Sequence, residues 1–256
     1  MHAGSAERLA KPFACCTRTR RSSPALANLE SSKEKREAAA PCIAWVDEGI
    51  ILGNLEVAEE LASNPELEPM TVFQIDDGWQ KVWGDWTANE GFPNGMATLA
   101  TEIQEAGFDA GLWMAPFYVS TSAAIYADQT DWWVRNSQGE PILFSNLGSG
   151  EYAIIDVTHP DAGPWMRDQV ARVKAEGWDY LKLDFLYAGA QVGERYADVT
   201  GMEAFHIGME YLKEAADDAF FLACGAPMLP SLGYADAFRT GADIGFNFDI
   251  GPRHEY

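Results

Sequence analysis

From about residue 50 onward the apolar positions switch repeatedly between two spacings. A 3.6-residue spacing predicts amphipathic helices, and short continuous apolar runs predict buried strands. The helical spacing covers Leu55–Ala62, Met96–Ala106, Ala162–Glu176 and Met202–Ala216. The apolar runs are Thr71–Ile75, Ala110–Met114, Tyr180–Asp184 and Phe220–Cys224. Gly107 and Gly177 follow two of the helices directly, where a positive φ ends a helix at little cost. They sit in two nearly identical phrases, Glu105-Ala-Gly-Phe-Asp109 and Ala175-Glu-Gly-Trp-Asp179.

Regular helix–strand alternation predicts a parallel sheet with helices on its faces. A barrel and a doubly wound sheet both satisfy that pattern, and the polar residues decide between them. Asp76 and Asp77 close one expected strand, Asp184 another and Cys224-Gly225 a third, and Arg239 to Asp243 is expected to close a fourth. Polar groups at the C-terminal ends of many strands are the mark of a barrel. No GxGxxG turn follows the first strand, as a dinucleotide-binding sheet would require. The expected fold class is therefore α/β, of the (β/α)8 TIM-barrel type.

Charge divides the chain. Residues 1–40 hold eight of the 18 Lys and Arg and four of the 39 acids, with no sustained apolar period. We expect this segment to be a disordered or non-homologous leader, and 41–256 to be the barrel domain. The net charge of -21 disfavours nucleic acid and anionic membrane surfaces as partners. No apolar run approaches the ~20 residues of a membrane span, and no secretory h-region opens the chain. The expectation is a soluble, cytoplasmic protein. Cys15, Cys16, Cys42 and Cys224 form no CxxC pair, so reduced thiols are expected. His2, His159, His206 and His254 show no metal-ligand spacing, and neither a GxSxG elbow nor a Walker A loop is present.

Several residues carry candidate chemistry. The adjacent carboxylates Asp76 and Asp77 need partners, either sugar hydroxyls or merely the backbone of an acidic turn. Trp79, Trp83 and Trp86 crowd the same stretch and supply aromatic faces of the kind a sugar needs. Trp113, at a strand end, is suited equally to stacking on a sugar or to core packing. Period two places Lys182 and Asp184 on one face of one strand, which in a barrel points inward. There the lysine holds the carboxylate ionised, as a nucleophile requires, or the two form a structural pair. Arg239-Thr-Gly-Ala-Asp243 offers a further carboxylate near a cation, or a surface turn. Two carboxylates from different strand ends suggest glycoside hydrolysis, with about 5–5.5 Å between them for retention and about 6.5–9.5 Å for inversion.

Five ordered motifs then resemble the α-galactosidases of glycoside hydrolase family 36, the melibiase group. They are Phe73-Gln-Ile-Asp-Asp-Gly-Trp79, Gly111-Leu-Trp-Met-Ala-Pro-Phe117, Tyr180-Leu-Lys-Leu-Asp-Phe185, Ala223-Cys-Gly-Ala-Pro227 and Phe238-Arg-Thr-Gly-Ala-Asp243. The resemblance implies a (β/α)8 catalytic domain that hydrolyses terminal α-galactosides of the melibiose and raffinose type with retention. It implies Asp184 as nucleophile and Asp243 as acid/base. It also implies Asp76 and Asp77 as ligands of the galactose O4 and O6, and Trp113, Lys182, Cys224 and Arg239 as further contacts to the sugar. Neither cofactor nor metal is implied, and a homo-oligomer is kept open for the full-length protein.

Set against that family, the expected barrel is incomplete. Its last two strand–helix units, an N-terminal β-sandwich and a C-terminal domain are expected to be missing, and only Ile43-Ala-Trp45 stands at the usual first strand. An inactive galactoside-binding remnant, and a related α-N-acetylgalactosaminidase or transglycosidase, are the alternative readings.

Overall fold

The structure is a computed structural model that describes residues 46–145 and 150–241, together with the backbone of Phe13–Cys15. Most of the expected leader, Ile43-Ala-Trp45 and Asp243 lie outside the described residues.

Strand β1 (Phe13–Cys15) precedes helix α1 (Glu48–Ala62) and strand β2 (Val72–Ile75). An antiparallel hairpin follows, β3 (Gln80–Val82) with β4 (Asp85–Ala88), then α2 (Met96–Glu105) and β5 (Asp109–Met114). An excursion comes next: β6 (Tyr118–Ser120), the short α3 (Ala124–Asp128), β7 (Leu143–Phe144) and β8 (Tyr152–Ile154). Helix α4 (Ala162–Ala175) leads to β9 (Tyr180–Leu183), α5 (Gly201–Ala216) to β10 (Phe220–Cys224), and β11 (Ala237–Arg239) closes the described chain.

The six strands β1, β2, β5, β9, β10 and β11 form one sheet in that spatial order, every neighbour parallel. Spatial order follows chain order without reversal. A doubly wound sheet reverses direction at a switch point, whereas a barrel winds one way only. The architecture is thus α/β and of the barrel type, with a wall of six strands among the described residues. The excursion forms a separate antiparallel sheet in the order β6-β8-β7.

Local chemistry explains several helix boundaries. Helix α1 begins seven residues before the apolar spacing starts, because Asp47 caps it by accepting from Ile50 N at 2.8 Å. Gly49 and Gly53 weaken the helical signal over that first part. Helix α5 opens with a capping box: Thr200 Oγ1 accepts from Glu203 N at 3.2 Å, and the Glu203 carboxylate accepts from Thr200 N at 2.8 Å. Gly107 and Gly177 take the positive φ expected of them, +91° and +107°.

The core is rich in aromatics, with Trp79, Trp86, Trp113 and Trp178 fully buried. Each such ring removes roughly 150–250 Å² from water. Strands β2 and β5 approach closely where Gly111 faces Gln74; a Cβ on Gly111 would lie 2.9 Å from the Gln74 Cβ. No described helix is long and apolar enough to cross a membrane.

Candidate active site

Strand register builds the site. Gln74 pairs with Gly111, Trp113 with Lys182, Lys182 with Leu222 and Cys224 with Arg239. Because side chains alternate along a strand, Gln74 and Asp76, Trp113, Lys182 and Asp184, Cys224 and Arg239 all project from one face of the sheet. They meet at its C-terminal edge.

Asp184 is the centre of this group, 8% exposed. Its Oδ2 accepts from the indole Nε1 of Trp113 at 3.0 Å and its Oδ1 from the Phe185 amide at 2.7 Å. The Asp184 amide donates to the Met114 carbonyl, tying the end of β9 to that of β5. Trp113 is itself held from behind, its carbonyl accepting from Trp79 Nε1 at 2.9 Å. The Trp113 ring is 2% exposed, so its indole edge faces the carboxylate from within the core.

Lys182 is 7% exposed, and its Nζ lies 2.7 Å from Asp76 Oδ2. Burial disfavours its charge, but the Asp76 carboxylate, its hydrogen bond, and the charge of Asp184 outweigh burial and raise the pKa above the usual lysine value. Asp76 Oδ2 also accepts from Gln74 Nε2 at 2.9 Å. The ammonium therefore pairs with Asp76 at the end of β2 and feels the Asp184 charge that follows β9.

Asp77, more exposed, is held through one oxygen. Its Oδ1 accepts from Gln80 Nε2 at 2.6 Å and from Trp83 Nε1 at 2.9 Å. Trp83 in turn packs on Tyr152, Trp113 and Phe185 with ring centroids 4.4, 5.3 and 5.4 Å away. Trp79, Trp83 and Trp86 are all buried, at 0%, 6% and 2% exposure. Their faces belong to the core, and Trp83 serves the site through its N–H. Burial raises the Tyr152 pKa, and the Asp77 charge adds to this.

Cys224 is fully buried at the end of β10. Burial pushes its thiol up to about 12; Asp184, by charge and by hydrogen bond, pushes the same way against the opposing pull of Arg239 and Lys182. The thiol stays protonated at neutral pH. Arg239 stands beside Cys224 in strand register. Among the described residues, no three His, Cys, Asp or Glu side chains gather in a group able to hold a metal ion.

The structure therefore brings together Asp76, Asp77, Trp113, Lys182, Asp184, Cys224 and Arg239, while Asp243 is outside the described residues. Sequence reasoning missed Gln74, Gln80, Trp83 as a hydrogen-bond donor, and Phe185. Period two from Asp76 points to Gln74, because the two share a strand face. Nothing in the sequence marks Phe185, whose backbone adopts φ +53°.

A family model described as Melibiase matches residues 53–218 of the chain. The α-galactosidase TtGalA from Thermus thermophilus, solved in complex with stachyose, is 43% identical with a TM-score of 0.67, covering 77% of this chain and 41% of that one. The α-galactosidase AgaA of Geobacillus stearothermophilus is 36% identical over 133 residues, 46% of this chain and 17% of its own length. A structure of an AgaA variant with raffinose shares the fold, with a TM-score of 0.58 at 21% identity over 73% of this chain and 28% of that one. The chain spans less than half the length of these relatives.

Proposed function

Since this chain belongs to the melibiase family, we propose that it forms part of an α-galactosidase that removes terminal α-D-galactosyl residues from oligosaccharides with net retention. The observation that carries the reading is the setting of Asp184. Its carboxylate is buried at a strand end, held through both oxygens, and adjoins a lysine whose ammonium stays charged. A nucleophile needs a fixed aim, and a neighbouring positive charge favours its anionic form.

In this reading Asp184 attacks the anomeric carbon. Asp243, protonated at first, gives its proton to the leaving glycosidic oxygen. The galactosyl ester on Asp184 is then hydrolysed by water that Asp243 deprotonates, regenerating both groups. Asp76 and Asp77 are oriented by Gln74, Lys182, Gln80 and Trp83, which leaves their remaining lone pairs for sugar hydroxyls. Cys224 and Arg239 complete the galactose pocket. The stachyose and raffinose found with the relatives support α-galactoside oligosaccharides as the substrate class. The proposal includes a cytoplasmic location, which the free, buried thiol of Cys224 fits.

Release of nitrophenol from p-nitrophenyl α-galactoside tests the activity. Asp184→Ala abolishes release, and added azide restores it by forming the β-galactosyl azide. Unchanged turnover in Asp184→Ala refutes the assignment. Galactose binding without any hydrolysis by the wild type points instead to a binding remnant, and preference for the N-acetylgalactosaminide to the related specificity.

A further inference from the structure

Phe185 follows Asp184 with φ +53° and ψ +33°, in the left-handed region that a phenylalanine rarely adopts. Both flanks of the turn are fixed. On one side the Asp184 amide is bonded to the Met114 carbonyl. On the other, Ala188 N donates to the Phe185 carbonyl at 3.0 Å and Tyr187 N donates to the Gly225 carbonyl at 2.8 Å. Gly225, at φ +59°, lets the chain after β10 pass so close that a Cβ there would lie 3.3 Å from the Phe185 Cα. The Phe185 ring is wedged among Trp83, Tyr118, Tyr187 and Trp113, with centroids 5.4, 6.1, 6.2 and 6.4 Å away.

With both flanks held, a residue that cannot keep this φ is accommodated only by rotating the peptide plane between 184 and 185. That rotation swings the 185 amide away from Asp184 Oδ1, which it now reaches at 2.7 Å. Strain of this kind persists only where the surroundings over-determine it. We propose that the left-handed backbone of Phe185 is a positioning device for the Asp184 carboxylate, with the aromatic ring supplying the packing that holds the turn. The inference rests on Asp184 being the nucleophile. Trp113 fixes one oxygen from a rigid strand; Phe185 fixes the other from the strained turn.

The proposal makes tolerance at position 185 follow left-handed preference instead of apolar size, since Asn accepts positive φ and Val resists it. The variants Phe185→Asn, Phe185→Val and Phe185→Ala are compared by kcat and KM on p-nitrophenyl α-galactoside. In Phe185→Val, kcat falls about 30-fold while KM shifts less than about threefold. Phe185→Asn also loses activity but retains about tenfold more kcat than Val, although it is the more polar residue. Should Phe185→Val fail to fold, Phe185→Ala takes its place, and kcat below that of Asn supports the proposal. Kcat in Val or Ala equal to or above that of Asn overturns it, because ring packing alone would then account for the position. If the wild type turns over no galactoside, the functional reading has failed, and crystal structures of the variants decide the positioning role separately. An Asp184 carboxylate still bonded to the 185 amide in Asn but displaced in Val supports it; a carboxylate unmoved in Val overturns it.

Discussion

The Trp113 indole, on β5, donates across 3.0 Å to Oδ2 of Asp184, the residue that follows the adjacent parallel strand β9. A buried aromatic thereby orients a buried carboxylate, and the carbonyl of the same tryptophan is anchored by Trp79. Replacing Trp113 by Phe keeps an aromatic ring against Trp83 and Trp86 but removes the donor. A hydrogen bond to a charged group contributes about 1.5–3 kcal/mol. Trp113→Phe is expected to lower kcat/KM on p-nitrophenyl α-galactoside by about 10- to 100-fold. Steady-state kinetics, with circular dichroism to verify the fold, checks this.

Lys182→Met leaves the Asp76 carboxylate without its ammonium partner. Breaking a buried pair costs about 3–5 kcal/mol, and solvent reaching Asp76, whose side chain is 26% exposed, recovers part of that. A loss of about 2–3 kcal/mol is expected, read as a lower urea midpoint at unchanged slope. Adding Asp76→Asn to this variant removes the unpaired charge and restores part of the loss.

Alkaline pH acts on Lys182 and Cys224 among the groups of the site. Lys182 and Cys224 both have folded pKa values raised above their ordinary ones, the thiol to about 12. For a raised group the stabilisation is complete below the unfolded pKa and is lost as pH rises through the folded one. Stability should therefore hold up to about pH 8.5 and decline progressively toward pH 12. Denaturant midpoints across that range measure it, and Cys224→Ala should make the early part of the decline shallower.

The same elevated thiol predicts chemical inertness. At pH 8 a thiol of pKa near 12 is ionised in only about one molecule in 10⁴, and thiolate is the reactive form. Iodoacetamide should leave Cys224 unmodified in the folded protein and label it rapidly in urea. Peptide mass spectrometry distinguishes Cys224 from the other cysteines.

Gly111→Ala should loosen the wall between β2 and β5. The added methyl would fall 2.9 Å from the Gln74 Cβ and 3.0 Å from its Cα, so backbone as well as side chain must shift. Overpacking of this kind costs about 1–3 kcal/mol. Activity should fall too, since Gln74 supports Asp76.

The sequence by itself determined the helix–strand alternation, the glycine helix stops and the strand ends that carry Asp76, Asp77, Lys182 and Asp184. These are legible because periodicity and capping depend on neighbours a few residues apart. The start of α1 was obscured by two glycines, and the β3–β4 hairpin and the β6-β8-β7 sheet are too short to show a period. Only tertiary structure decided which groups meet. The Trp113–Asp184 bond spans 71 positions and the Lys182–Asp76 pair 106, so both depend on strand register, which the packing of the whole sheet sets. The inward burial of Trp79, Trp83 and Trp86 is settled the same way, by what lies opposite them. The left-handed turn at Phe185 runs against its own residue's preference and is packed against Gly225 and the surrounding rings, contacts that only the tertiary structure supplies.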